Sequence, residues 1–539
     1  MTEAPGPVWN RVHPVTPAVK GWKVLAVLLA IAVQQVGTNI GEAQDLVGTV
    51  GWGPVAAVVA AATVVGFVYA AIAWRMTRYA VDSEAVYLHT GVLFRQQRTA
   101  RLDRVQAIDV VQPLLARLFG LAELKIEVAG GADSAVRLAF LREDQAQQLR
   151  NELLARAAGV EFGTEEQPEA PVAPEREVLA VSAGRLIGSL VRSVAIVFLL
   201  LGMIAAIVVA VVSREIGAAF GLLPLVLAAG GYLWGRFAGE FNFRAAQSPD
   251  GIRLRHGLLE SRSQTVPPGR VQAVRISQAW LWRRKDWWRV QINVAGYGQV
   301  EEQQTENVLL PVGDRDEALL ALWLVLPELG AADPRPVLDA ALAGGGGAGE
   351  DPFTTSPRAA RWLDPWSWSR NGYLVTERAL LVRSGRFVRQ LVVVPHERTQ
   401  SVALSQGPLQ RRLGVATVLL HSTPGPVAPQ VVHLEESVAG ALLVEQAARA
   451  RTARAGAGPE RWMRELRAQA ARATVDVERE VPQPEPVEPE VPQPEPVEPD
   501  APQPERVEAQ LGLPEVAPPV TSQPEPVEPE THQPEVPRP

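Results

Sequence analysis

The chain has 539 residues, no cysteine and a formal net charge of −7 at pH 7. That length accommodates several domains, and the missing cysteines exclude disulfides, thiolate metal sites and cysteine nucleophiles. The charge is unevenly placed: from Val475 onward sixteen Asp/Glu stand against three Arg, giving −13 there and leaving +6 on the body.

Residues 1–23 are a short polar segment with no cleavable signal pattern. Residues 24–74 read as a first transmembrane hairpin. Val24–Ile40 is apolar but holds Gln34, Gln35 and Asn39, whereas Val55–Ala73 is uncharged throughout. About 20 apolar residues cross the hydrocarbon core. The loop between them carries Glu42 and Asp45, while Arg11, Lys20, Lys23, Arg75 and Arg78 flank the pair, so both ends are expected in the cytoplasm. Residues 79–158 form a first domain of short strands closed by an amphipathic helix, and 159–185 a Glu/Pro-rich linker. A second hairpin is expected over 186–235, with spans Ser193–Val212 and Ile216–Trp234 flanked by Arg176, Arg185, Arg192 and Arg236. A second domain follows over 240–328, a flexible Gly/Pro/Ala linker over 329–357 and a third domain over 358–455. No apolar span precedes the third domain. Arg361-Trp-Leu-Asp-Pro-Trp-Ser-Trp-Ser-Arg370 stands in that place. Residues 475–539 repeat Val-Pro-Gln-Pro-Glu-Pro-Val-Glu-Pro-Glu with variants, a composition that predicts a disordered acidic tail.

The three domains share a motif. A turn glycine (Gly91, Gly257, Gly385) is followed thirteen positions later by Arg (Arg104, Arg270, Arg398). Gln comes two further on (Gln106, Gln272, Gln400), Gln six beyond that (Gln112, Gln278, Gln406), and Arg after five more (Arg117, Arg283, Arg411). Five identities at identical spacing in three places mark an internal repeat. In repeats one and three the last stretch reads as a short helix between Pro and Gly. Repeat two lacks both and has Trp280, Trp282, Trp287 and Trp288 there instead.

Strands followed by one C-terminal helix are the plan of a pleckstrin-homology domain. His13-Pro-Val-Thr-Pro, the three Arg-x-Gln cores and above all Pro395-His-Glu-Arg-Thr-Gln-Ser-Val-Ala-Leu-Ser-Gln-Gly-Pro-Leu-Gln-Arg-Arg-Leu-Gly414 carry a specific resemblance. The chain resembles the YdbT-like bacterial membrane proteins with repeated bacterial pleckstrin-homology domains of the second kind, also called membrane-flanked domains. The resemblance covers about residues 8–455. It implies an α+β membrane protein with four transmembrane helices in two hairpins and three pleckstrin-homology-like β-barrel domains, each closed by a C-terminal helix. It implies no reaction.

Neither a catalytic constellation nor a cofactor, metal or nucleic-acid site is discernible, so a non-enzymatic role is expected. The leading expectation is a scaffold or lipid- and protein-binding module at the inner face of the cell membrane, multi-pass, with termini and domains cytoplasmic. The alternative is an accessory component of an export, transport or envelope-stress/antimicrobial-resistance system. Anionic lipid headgroups and membrane proteins are the expected partners, and oligomeric state is left open. Arg361, Trp362, Trp366, Trp368 and Arg370 are candidates for the membrane interface, because indoles favour that zone and guanidinium groups attract headgroups. The triads Arg95/Arg98/Arg101, Arg253/Arg255/Arg262 and Arg383/Arg386/Arg389 are weaker headgroup candidates. The conserved spacing of the Arg-x-Gln cores favours a shared structural need, since buried polar groups require partners.

Overall fold

The computed structural model describes residues 9–14, 16, 52–82, 85–91, 95–128, 136–158, 175–214, 223–248, 251–267, 269–295, 307–343 and 351–456. The tail over 475–539, the apolar stretch Val24–Ile40 and Gly344–Gly347 lie outside the described residues.

Repeat one opens with strand β1 (Trp9–Arg11), helix α1 (Trp52–Met76) and strands β2 (Arg78–Val81), β3 (Ala85–Thr90) and β4 (Gln96–Arg101). These four strands form one antiparallel sheet in the order β1-β2-β3-β4. Strands β5 (Val105–Pro113), β6 (Leu121–Val128) and β7 (Val136–Arg142) follow, with short helix α2 (Leu114–Leu118) after β5 and closing helix α3 (Glu143–Ala158). Val86, Leu88 and Leu102 from the first half meet Ile108, Leu124, Ile126 and Leu138 from the second, and Ala146 and Leu153 of α3 seal the end.

Repeat two has the same order: β8 (Arg176–Ala180), helices α4 (Ala183–Val191), α5 (Val194–Ser213) and α6 (Leu223–Glu240), then β9 (Arg244–Ser248), β10 (Gly251–His256) and β11 (Glu260–Val266). Strands β12 (Val271–Ala279), β13 (Trp288–Val294) and β14 (Val308–Gly313) complete it, with helices α7 (Arg315–Val325) and α8 (Pro334–Ala343). Asp314 caps α7 through a capping box with Glu317, as its Asp-Arg-Asp-Glu sequence predicts. Repeat three comprises β15 (Thr354–Thr355), β16 (Gly372–Val375), β17 (Ala379–Ser384), β18 (Val388–Pro395), β19 (Ser401–Ser405), short helix α9 (Pro408–Arg412), β20 (Val415–His421), β21 (Gln430–Glu435) and α10 (Glu436–Gly456).

Two features go beyond separate repeats. The three-stranded half of repeat one joins the four-stranded half of repeat two in one seven-stranded sheet, β7-β6-β5-β11-β10-β9-β8. Repeats two and three do the same, β14-β13-β12-β18-β17-β16-β15, and among the described residues β19-β20-β21 form a separate sheet of three. Side chains lock both seams. Arg150 on α3 donates to Ile108 O at 3.2 Å and Thr265 Oγ1 at 2.5 Å, and Asn293 exchanges hydrogen bonds with the Val427 backbone at 2.7 and 2.9 Å.

The second feature is where the helices enter. β1 pairs with β2, β8 with β9 and β15 with β16, so each inserted segment lies between the first and second strands of its repeat. Domain starts at 79, 240 and 358 therefore cut β1, β8 and β15 away from the sheets that they begin. The linker over 329–357 is likewise corrected: it contains α8, whose Leu338, Ala341 and Leu342 are buried in the core of the second seven-stranded sheet.

Four membrane-spanning helices are not confirmed. Among the described residues α5 alone is long and apolar enough to cross a membrane. Its Phe198, Leu201, Ile204, Ile207 and Val211 are exposed. The expected span Val55–Ala73 lies in α1, of which Val64–Met76 is described as an apolar stretch short of a full crossing. The expected Ile216–Trp234 overlaps α6 but starts in residues outside the description.

Candidate functional site: the repeat corners and the inserted segments

The repeated motif is the corner where each four-stranded half turns into its three-stranded half. Gly91, Gly257 and Gly385 all have positive φ (101°, 114° and 74°) in the turn before the fourth strand. A Cβ on Gly257 would stand 1.9 Å from Glu260 O, and one on Gly385 2.1 Å from Val388 O, so glycine is required there. Arg104 and Arg398 end 3-10 turns at the corner itself. Gln106 lies in β5, and the Gln272 side chain, buried, donates to Arg270 O at 3.2 Å. Arg398 pairs with Glu397 at 3.4 Å, while Gln400 is exposed.

The second glutamine ends the next strand. Gln112 is buried, Gln278 donates to Asp286 Oδ1 at 3.0 Å, and Gln406 donates to Val415 O at 3.3 Å and Glu436 Oε2 at 3.2 Å. These are structural bonds at strand ends. The twelve motif residues are spread over three separate corners, and the final arginines of repeats one and three, Arg117 and Arg411, are exposed on α2 and α9.

The corner's neighbour is a more distinctive surface. In repeat two the short helix is a 3-10 segment over Trp280–Lys285, and it packs against α4 and the end of α6. Trp282 is buried and its Nε1–H donates to Ser189 O of α4 at 3.0 Å. Arg192 lies over the Trp287 ring and Arg236 over Trp282, at 5.7 and 5.6 Å. Glu240, at the end of α6, binds Arg236 at 3.2 Å and Arg289 of β13 at 2.6 Å, and Arg185 of α4 binds Glu317 of α7 at 2.8 Å. Helices and domain are thus fixed to one another. On the far side Arg283 donates to Arg386 O in the β17–β18 turn. Its guanidinium is pushed below its ordinary pKa by burial and by Arg389 and Arg386. Phe387 in that turn contacts Trp366, ring centres 5.9 Å apart. A continuous path therefore runs from α4 and α6 of repeat two to the tryptophan segment of repeat three.

Within that segment Trp362 and Trp366 are 73% and 63% exposed, Arg361 is exposed and stacks on Trp362 at 5.5 Å, and Trp368 is half-buried. Arg370 is a correction. It is buried, donates to Ala341 O at 2.8 Å, and burial together with Arg383 lowers its pKa to about 9. Its charge faces inward, away from any headgroup. Arg383 and Arg253 are corrected in the same way: Arg383 bonds Asp351 at 2.6 Å, the Arg370 carbonyl at 3.0 Å and the Ala340 carbonyl at 3.1 Å, and Arg253 pairs with Glu175. The sequence reading missed Phe387, 56% exposed beside Trp366, and the exposed Leu114, Leu118 and Phe119 around α2. Apolar residues interleaved with Arg117 on so short a helix were the available signal. Among the described residues no group of three or more His, Asp or Glu could hold a metal.

Comparison with known proteins agrees with the three-fold plan. A family model for the bacterial PH domain matches residues 25–157, 186–323 and 340–453. The UPF0699 transmembrane protein YdbT of Bacillus subtilis (strain 168) is 22% identical over 269 residues, which cover 44% of this chain and 54% of that protein. The chain therefore spans about half the length of the curated relative that it matches. No solved structure matches. With three matches laid over three structural repeats, the chain belongs to the bacterial PH domain family, as a YdbT-like protein.

Proposed function

We propose that the protein is a non-enzymatic, multi-pass membrane scaffold that holds three PH-like repeats against the inner face of the cell membrane. The relative is named a transmembrane protein, and the exposed apolar surface of α5 suits lipid. The observation that carries the reading is positional. Repeats one and two insert apolar helices between their first and second strands, and repeat three inserts a segment with exposed tryptophans at that same point. The contacts from Ser189 through Trp282, Arg283, Arg386 and Phe387 to Trp366 support one shared membrane-proximal side. Trp362 and Trp366 then sit at the interface, with Arg358 and Arg361 near anionic headgroups at about 1 kcal/mol each.

The chain has no native cysteine, so a nitroxide on Trp366→Cys reports one position in the full-length protein. In anionic bilayers the label should be more accessible to oxygen than to a water-soluble nickel chelate. A label that sees only the aqueous reagent would place the segment in solvent and defeat the interfacial reading.

A further inference from the structure

The two seams inside the chain use the same pair of edges. In each, the strand ending at the second glutamine pairs antiparallel with the fourth strand of the following repeat: β5 with β11, β12 with β18. The register is also the same. Ser261 and Arg389 each lie four positions after the turn glycine, and they stand opposite Gln112 and Gln278. One edge of each kind remains. Among the described residues β4 pairs only with β3, and β19 only with β20. None of the five residues of β19 is buried, Leu404 is 42% exposed, and β12 is largely buried.

We propose that the chain assembles head to tail, the open β19 edge of one copy pairing with the open β4 edge of the next. The occupant follows from continuity: the seam that joins repeat one to two and two to three is repeated between copies. The internal register places Arg95 of the next copy opposite Gln406, and then Gln96 opposite Ser405, Gln97 opposite Leu404, Arg98 opposite Ala403 and Thr99 opposite Val402. The chemistry matches the second seam. There an arginine, Arg389, falls opposite Gln278, whose amide holds the carboxylate of Asp286 at 3.0 Å. Here Arg95 falls opposite Gln406, whose amide holds Glu436 at 3.2 Å. The backbone is ready as well. Leu420 N–H donates to Pro429 O across the sheet. Alternation along an antiparallel ladder therefore turns the N–H and C=O of Val402 and Leu404, opposite Leu420 and Val418, to the open side. Such an interface is heterologous, so it closes into a ring or extends as a filament.

The test uses full-length protein in detergent, with no background thiols. Chains carrying Gln96→Cys and chains carrying Ser405→Cys, both exposed positions, are mixed and mildly oxidised. A disulfide-linked dimer should dominate, and one chain carrying both substitutions should give a ladder of higher multiples. Gln96→Cys mixed with Val402→Cys is three residues out of register, about 10 Å along a strand and beyond disulfide reach, so it should cross-link at least tenfold less. Adding Leu404→Pro to the Ser405→Cys chain removes one outward N–H while leaving the bonds to β20, and should abolish the dimer. Equal cross-linking in and out of register would overturn the proposal. So would a doubly substituted chain that joins only to itself.

Discussion

Arg383 offers the sharpest energetic prediction. It lies 1% exposed in repeat three and donates to the Arg370 and Ala340 carbonyls and to both oxygens of Asp351, with the Phe353 ring 4.5 Å from its guanidinium carbon. It thus ties together the end of α8, the inserted tryptophan segment and β17. Arg383→Met keeps the apolar stem and removes every donor. Breaking a buried ion pair costs about 3–5 kcal/mol, and since Asp351 is partly exposed and regains water, about 3 kcal/mol is expected. Asp351→Asn leaves the two carbonyl bonds intact and removes a partly solvated charge, for about 1 kcal/mol. At about 1.4 kcal/mol per factor of ten, Arg383→Met should raise the opening equilibrium of this region roughly a hundredfold. Hydrogen exchange of peptides over 334–343 and 372–395, in detergent at neutral pH, reads this directly. Protection unchanged within threefold in Arg383→Met would refute the assignment. Equal losses in the two variants would show that Asp351 alone dominates.

Gly385→Val forces a branched side chain onto a left-handed turn residue against Val388 O, so a loss of about 2 kcal/mol or more is expected in thermal or chemical unfolding. Acidification should destabilise the body. Burial holds the imidazoles of His256, His396 and His433 below their ordinary pKa, so their contribution is complete above about pH 6.5 and declines as pH falls through the lower folded values. A melting-temperature scan from pH 7.5 to 5 should show the drop, and His396→Gln should make it shallower. For Asp351 burial would raise the pKa, but the Arg383 hydrogen bond, the Phe353 N–H and the nearby arginine charges outweigh it, so its contribution is lost only at lower pH, beneath the usual carboxylate value near 3.9. Removing residues 475–539, which offer little apolar surface to bury, should leave the melting temperature of the body unchanged.

The motif was legible because its constraints are local. A left-handed turn demands glycine at Gly91, Gly257 and Gly385, and Pro408 with Gly414 brackets α9. Strands β17 and β20 are largely apolar runs, and closing helix α3 carries Leu149 and Leu153 on one side. What stayed hidden depends on distant segments. β15 has two residues and β1 three, too few for an alternating pattern, and β1 meets its partner β2 only across residues 12–77. The seams join residues more than a hundred positions apart. Arginines three apart on a strand gave no sign that Arg383 points inward, and Ala/Pro-rich composition disguised α8 as linker.

The proposed topology puts three repeats on one side of a membrane with α5 crossing it. Single cysteines replacing the exposed Asp144, Asp316 and Ala448, one in each repeat, and Arg214 at the end of α5 test it in sealed right-side-out vesicles. A membrane-impermeant maleimide should label Arg214→Cys at once and the other three only after the vesicles are opened. Immediate labelling of any of those three, or protection of Arg214→Cys, would rule out that topology.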